Sequence, residues 1–130
     1  MNRCRDHAQA LLVKARDDAG VVEAATETAR YADWIVGFHA QQAVEKAVKA
    51  VLAARNIEYP HTHNLRVLLT ILADHQIELP SGADELPRLT PFSALLRYEA
   101  ALATDPGALD RAWALARVHS VLAWAEGLLV

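Results

Sequence analysis

A band of polar side chains, Gln42, Glu45, Lys46 and Lys49, runs through FHAQQAVEKAVKAVL at residues 38–52, a stretch with the rhythm of a buried amphipathic helix. At about 100° per residue they share one sector of a helix with His39. Glu45 lies four residues before Lys49, the favourable order for a helical ion pair. Two readings stand side by side. The band is a solvated stripe, or its carboxylate, ammonium groups and amide are gathered for chemistry. Two further segments bear on the choice. HTHN sets His63 at the start of a later helix, and LLRYE sets Arg97 and Tyr98 together on another.

Other chemistries find less material. His61 and His63 are two apart, but zinc usually takes three or four converging ligands. There is no HExxH and no second cysteine, so no metal site is expected. Neither GxGxxG nor a Walker pattern occurs, and Ser81, Ser93 and Ser120 lack a recognisable nucleophile context. No cofactor is expected.

Composition bounds the class. The 130 residues suit one domain, and 53% are hydrophobic, which builds a core without disulfides. Only five Gly and five Pro interrupt an Ala- and Leu-rich chain, which favours helices. A net charge of -3 argues against an electrostatic DNA binder, though not against a local basic patch. Cys4 stands alone and reads as a terminal bystander in a reducing cytoplasm. No signal peptide is recognised at MNRCRDHAQ, and no apolar run reaches the length of a membrane span.

The elements that must position the polar groups are helices. A first is expected from about Asn2 to about Thr28, its apolar side carrying Leu11, Ala15, Val22 and Ala29, with a kink or break at Gly20. Asp33 is the expected N-cap of a second, Trp34 to Arg55, with Trp34, Phe38, Val44, Val48, Val51 and Leu52 on one broad apolar arc. So wide an arc places this helix centrally. Asn56 is its expected stop. After the loop NIEYPHTHN, Thr62 or Asn64 caps a third helix that buries Leu65, Leu68, Leu69 and Leu72 and ends near Gln76.

ELPSGADELP reads as a loop with short helical turns. A fourth helix is expected around Pro91–Ala101, with Thr90 as N-cap and Pro91 in the first turn. TDPG breaks the chain. Asp105 and Pro106 are expected to open a last helix reaching about Leu129. Trp113, Leu115, Val118, Val121, Leu122, Trp124 and Leu128 spread around that helix, which reads either as a central core helix or, the favoured reading, as a surface shared with a second copy. The expected fold is an all-α, up-and-down bundle of four to five helices, in one domain over residues 1–130.

QQAVEKAVKAVL, YPHTHNLRVLL and LLRYE, in that order and spacing, resemble the HEPN (higher eukaryotes and prokaryotes nucleotide-binding) family. The resemblance covers nearly the whole chain. It implies a helical bundle, usually a homodimer, with a polar cleft for nucleotide or RNA. It also implies a minimal nucleotidyltransferase partner in a toxin–antitoxin-like pair. Carried over residue by residue, the family's polar signature falls on Gln42, Glu45, Lys46, Lys49, His63, Asn64, Arg97 and Tyr98. In such a cleft Glu45 would neutralise Lys49 or Arg97, His63 would face a phosphate or ribose, and Tyr98 would stack on a base or donate a hydrogen bond.

Many HEPN ribonucleases carry an Arg, four to six residues, then a His, late in the domain. That pair would polarise the phosphate and move protons at the 2′-hydroxyl without a metal. Here Arg97 has no such partner, and Arg111 and His119 have seven residues between them. Arg55 and His61 fit the spacing but straddle Pro60 in a different loop. Glu99 stands where this subgroup often has Pro after RY. Three functions follow: a nucleotide- or RNA-binding module, a ribonuclease toxin using Arg97 and His63, or a helical dimer with a purely architectural polar band.

Overall fold

Small residues spaced by three and four build the first interface. Ala8, Leu12, Ala15, Ala19, Val22 and Ala25 form the buried stripe of α1 (Asn2–Thr26). Their short side chains let α1 approach α2 (Asp33–Ala54), which presents Ala40, Ala43, Ala47 and Ala50, all buried. The two helices form an antiparallel hairpin, with Cys4 beside Asn56 at one end and Asp18 beside His39 nearer the other. The structure, a computed structural model, describes residues 2–96 and 107–129.

α2 is central because 14 of its 22 residues are buried. It packs on α1, on α3 (Leu65–Asp74), on a 3-10 segment (Ala83–Leu96) and on α4 (Arg111–Leu128). Leu65, Leu68, Leu69 and Leu72 of α3 are buried, as their spacing predicts. No strand occurs among the described residues, and the architecture is an all-α bundle. Among these residues no helix is long and apolar enough to cross a membrane.

α2 and α3 end in the same way. Asn56 and Gln76 adopt φ of 56° and 59°. In each case the next residue's N–H reaches back to a leucine carbonyl: Ile57 to Leu52 at 2.9 Å and Ile77 to Leu72 at 3.0 Å. Asn56 and Gln76 themselves donate to Ala53 and Ala73, both at 3.0 Å. This is the Schellman arrangement, in which a left-handed residue satisfies the last helical carbonyls and a following apolar side chain covers the end. The shared pattern is legible as LAARNI and LADHQI.

Several expectations are corrected. α1 runs through Gly20 without a break and stops at Thr26, so Ala29 is exposed outside the stripe. The N-cap of α2 is Ala32, which makes no side-chain cap bond. Asp33 does not cap because its carboxylate is taken by α4: it accepts from the Arg111 guanidinium at 2.8 Å and from the Leu109 N–H at 3.2 Å. The same guanidinium donates to the carbonyls of Ala25, Thr28 and Tyr31 and so closes the end of α1. Trp34 is 41% exposed rather than part of the buried arc.

The 3-10 segment begins at Ala83, so Pro87 and Pro91 lie inside it and Thr90 opens no helix. Thr90 instead accepts the Leu65 N–H through its hydroxyl. Asp105 and Pro106 lie outside the described residues. The cap of α4 is Asp110, which accepts from the Trp113 N–H at 3.0 Å, and residues 107–110 precede the helix. α4 buries one stripe, Ala114, Val118, Val121, Leu122 and Ala125. Its half-buried tryptophans have partners in this chain: Trp124 donates to the Glu78 carbonyl at 2.7 Å, and Arg88 lies over the Trp113 ring.

Candidate functional site

Gln41, Glu45 and Lys49 stand one helical turn apart on the edge of α2 that faces the loop before α3. Glu45 is 4% exposed and accepts from three directions. Gln41 Nε2 donates to Oε1 at 2.7 Å and Lys49 Nζ to Oε2 at 2.8 Å. His63 Nδ1 lies 3.0 Å from Oε1 and 3.1 Å from Oε2. An ionised carboxylate only accepts, so His63 Nδ1 carries the proton. Burial alone would push the Glu45 carboxyl up; bonds from Lys49, Gln41 and His63 outweigh it and hold the group below its ordinary value.

His63 is placed by its backbone as well as its ring. Its carbonyl accepts from Gln41 Nε2 at 3.2 Å. Asn64 follows as the N-cap of α3, its side-chain oxygen accepting from the Arg66 N–H at 3.0 Å. Thr62 Oγ1 accepts the Asn64 N–H at 3.1 Å. The cap therefore fixes the residue just before it. The imidazole side chain is 41% exposed, so its carboxylate-bound edge is inside and the rest is offered to solvent. Holding Nδ1–H leaves Nε2 as acceptor in the neutral ring and as donor in the imidazolium.

The polar band divides. Lys46 turns to α1, where its Nζ donates to Asp18 Oδ2 at 2.6 Å. His39 Nδ1 meets Asp18 Oδ1 at 2.9 Å. Gln42 is buried behind Gln41, donating to its Oε1 at 2.8 Å. Thus Glu45, Lys49 and His63 come together, Gln42 joins through Gln41, and Lys46 belongs to a separate cluster. Asn64 spends its oxygen on the helix cap. Arg97 and Tyr98 lie outside the described residues. The band is no solvated stripe, since Gln42 and Glu45 are both buried.

Three participants escaped the sequence reading. Gln41 is fully buried, and its signal was a spacing of four from Glu45. Asp18 is 8% exposed beside the stripe Ala15–Ala19–Val22, and a carboxylate there demands a partner. Tyr59 carries Lys49 Nζ over its ring, 5.6 Å from the centroid. Burial and the Glu45 charge push the Tyr59 phenol up, so it stays protonated at neutral pH. Nothing in the sequence marked it. Among the described residues no three His, Cys, Asp or Glu side chains converge as metal ligands would.

The chain is thus an all-α bundle whose central helix carries a buried carboxylate bonded to an imidazole on the loop before the next helix. The HEPN domain profile matches residues 8–128, and the chain belongs to the HEPN family. HEPN domains are generally related to nucleotides or RNA. Neither the curated proteins nor the solved structures yield a match to this chain.

Proposed function

We propose that the protein is a nucleotide- or RNA-binding HEPN module in which His63 contacts a phosphate or ribose. The observation that carries this reading is the imidazole anchored by buried Glu45 with its other edge at the surface. Such anchoring fixes the direction of the ring and its tautomer, so that Nε2 is the nitrogen offered to a ligand. Lys49 and Gln41 keep the carboxylate from acting as an uncompensated charge. Arg97 and Tyr98 join the site by family resemblance. So do a homodimeric state, a cytoplasmic setting and a minimal nucleotidyltransferase partner in a toxin–antitoxin-like pair. The test is binding of labelled single-stranded RNA and of mononucleotides to wild type, His63→Ala and Arg97→Ala. Binding that neither substitution weakens would return the cluster to a purely architectural role. Native co-purification that never recovers a nucleotidyltransferase would remove the partner.

The same anchored imidazole supports a second reading, a metal-independent ribonuclease with His63 moving protons and Arg97 stabilising phosphate charge. An RNA-cleavage time course without added metal separates the two. Cleavage by wild type that both His63→Ala and Arg97→Ala abolish would establish the enzyme. Equal, negligible cleavage by all three would leave the binding module.

A further inference from the structure

An open groove of about 460 Å³ runs between the start of α1 and the chain leaving α2. Arg3, Cys4 and His7 line it from α1, and Asn56, Ile57 and Tyr59 from the other side. The volume falls in the range of small-molecule sites. The Schellman turn at Asn56 shapes one wall, and the Cys4 thiol, 3.5 Å from Asn56 Oδ1, ties the two walls together. Tyr59 connects this groove to the Glu45 cluster, because Lys49 lies over its ring and bonds Glu45. The ends of α1 and α2 here carry opposite partial charges that roughly cancel. Side chains therefore decide what the groove attracts: Arg3 and His7 for an anion, the Tyr59 ring for a flat partner, Asn56 for a polar edge.

We infer that this groove is a second nucleotide subsite, taking a base against Tyr59 and its phosphate at Arg3 and His7, next to the His63 site. The inference rests on the nucleotide reading above and extends it to a neighbouring unit. The ligand chemistry is a nucleobase joined to a phosphate, either one nucleotide of a single strand or a free mononucleotide. Glu58 also lines the groove and opposes the phosphate, so affinity is modest and rises when that charge is removed.

The experiment measures binding of fluorescent oligo(A) hexanucleotide and of AMP across a salt series, by anisotropy and calorimetry. The proteins are wild type, Tyr59→Leu, Tyr59→Phe, Arg3→Ala, Glu58→Gln and His63→Ala, each checked for unchanged helical circular dichroism. Tyr59→Leu should weaken binding roughly five- to hundredfold while Tyr59→Phe keeps it, as stacking requires. Arg3→Ala should lower the salt slope by about 1, and Glu58→Gln should tighten binding. Loss seen with the hexanucleotide alone identifies a strand; loss with AMP as well identifies a free nucleotide. Binding weakened by His63→Ala but untouched by Tyr59→Leu and Arg3→Ala overturns the subsite and leaves the proposed function standing. No binding of either probe overturns both.

Discussion

Glu45 holds His63 by both carboxylate oxygens, at 3.0 and 3.1 Å, across 18 residues of sequence. The pairing joins a rigid helix to the last loop residue before the α3 cap, so ring and cap settle together. Of the two groups, Glu45 is buried and His63 reaches the surface. The carboxylate is thus the buried anchor, and the imidazole is the part of the pair that solvent reaches.

Acid stability should report this anchor. The folded chain keeps Glu45 ionised to lower pH than the unfolded chain does, so on acidification the unfolded state takes up the proton first. The stability contributed by Glu45 is complete above the unfolded value near 4.5 and is lost as pH falls toward the depressed folded value. Glu45→Gln should cost about 2–3 kcal/mol at pH 7, because Lys49 loses its counter-charge in a nearly buried site and one accepting oxygen is replaced by a donor. It should also flatten the acid limb. Urea melts at pH 7, 5 and 3.5 check both; equal acid slopes in the two proteins would discard the assignment.

Arg111 closes the hairpin. One guanidinium serves Asp33 and three carbonyls at the end of α1. Arg111→Ala should lose roughly 2–3 kcal/mol, since charged hydrogen bonds are broken and carbonyls are left without a donor. Arg111→Lys should recover little, as an ammonium cannot reproduce the planar fork. Chemical denaturation of the two variants decides it, and full recovery by lysine would show that only charge matters.

One substitution should have opposite signs at two helical glycines. Gly20 has open space where a Cβ would stand, so Gly20→Ala should stabilise by about 0.5–1 kcal/mol through helix propensity. At Gly37 the Cβ would overlap the ring of Phe92, itself 5% exposed. Gly37→Ala should therefore destabilise by about 1–2 kcal/mol net, overpacking outweighing propensity. Thermal melts of both variants, run together, test the contrast.

The two Schellman ends make a finer pair. Gln76 pays a steric cost at φ 59° that glycine would not. Gln76→Gly should gain roughly 0.5–1 kcal/mol, and Asn56→Gly less, because asparagine tolerates the left-handed region better. A larger gain at Asn56 in the same melts would show that its side chain is strained rather than settled.

Much of the frame is local and so was legible. Helical period, the Glu45–Lys49 spacing, the stop at Asn56, a cap at Thr62 or Asn64 and the leucine face of α3 follow from neighbours within a turn or two, and the structure chooses Asn64 for the cap. The 3-10 segment was not, because Pro87 and Pro91 argue against a long helix and do not say which tighter turns replace it.

Periodicity also says which side of α2 is polar, but not what each polar group meets. Lys46 finds Asp18 across 28 residues, His39 finds it across 21, and Asp33 is drawn from its cap by Arg111 across 78. Those partners depend on how α1, α3 and α4 lie against α2, and Coulomb and hydrogen-bond energies fall too steeply with distance for sequence spacing to stand in for it. The sequence by itself determined the frame of α1, α2 and α3 and the inventory of charged groups. Only tertiary packing split that inventory into one cluster around Asp18 and another around Glu45, because burial makes each carboxylate take whichever donors the neighbouring helix and loop bring within reach.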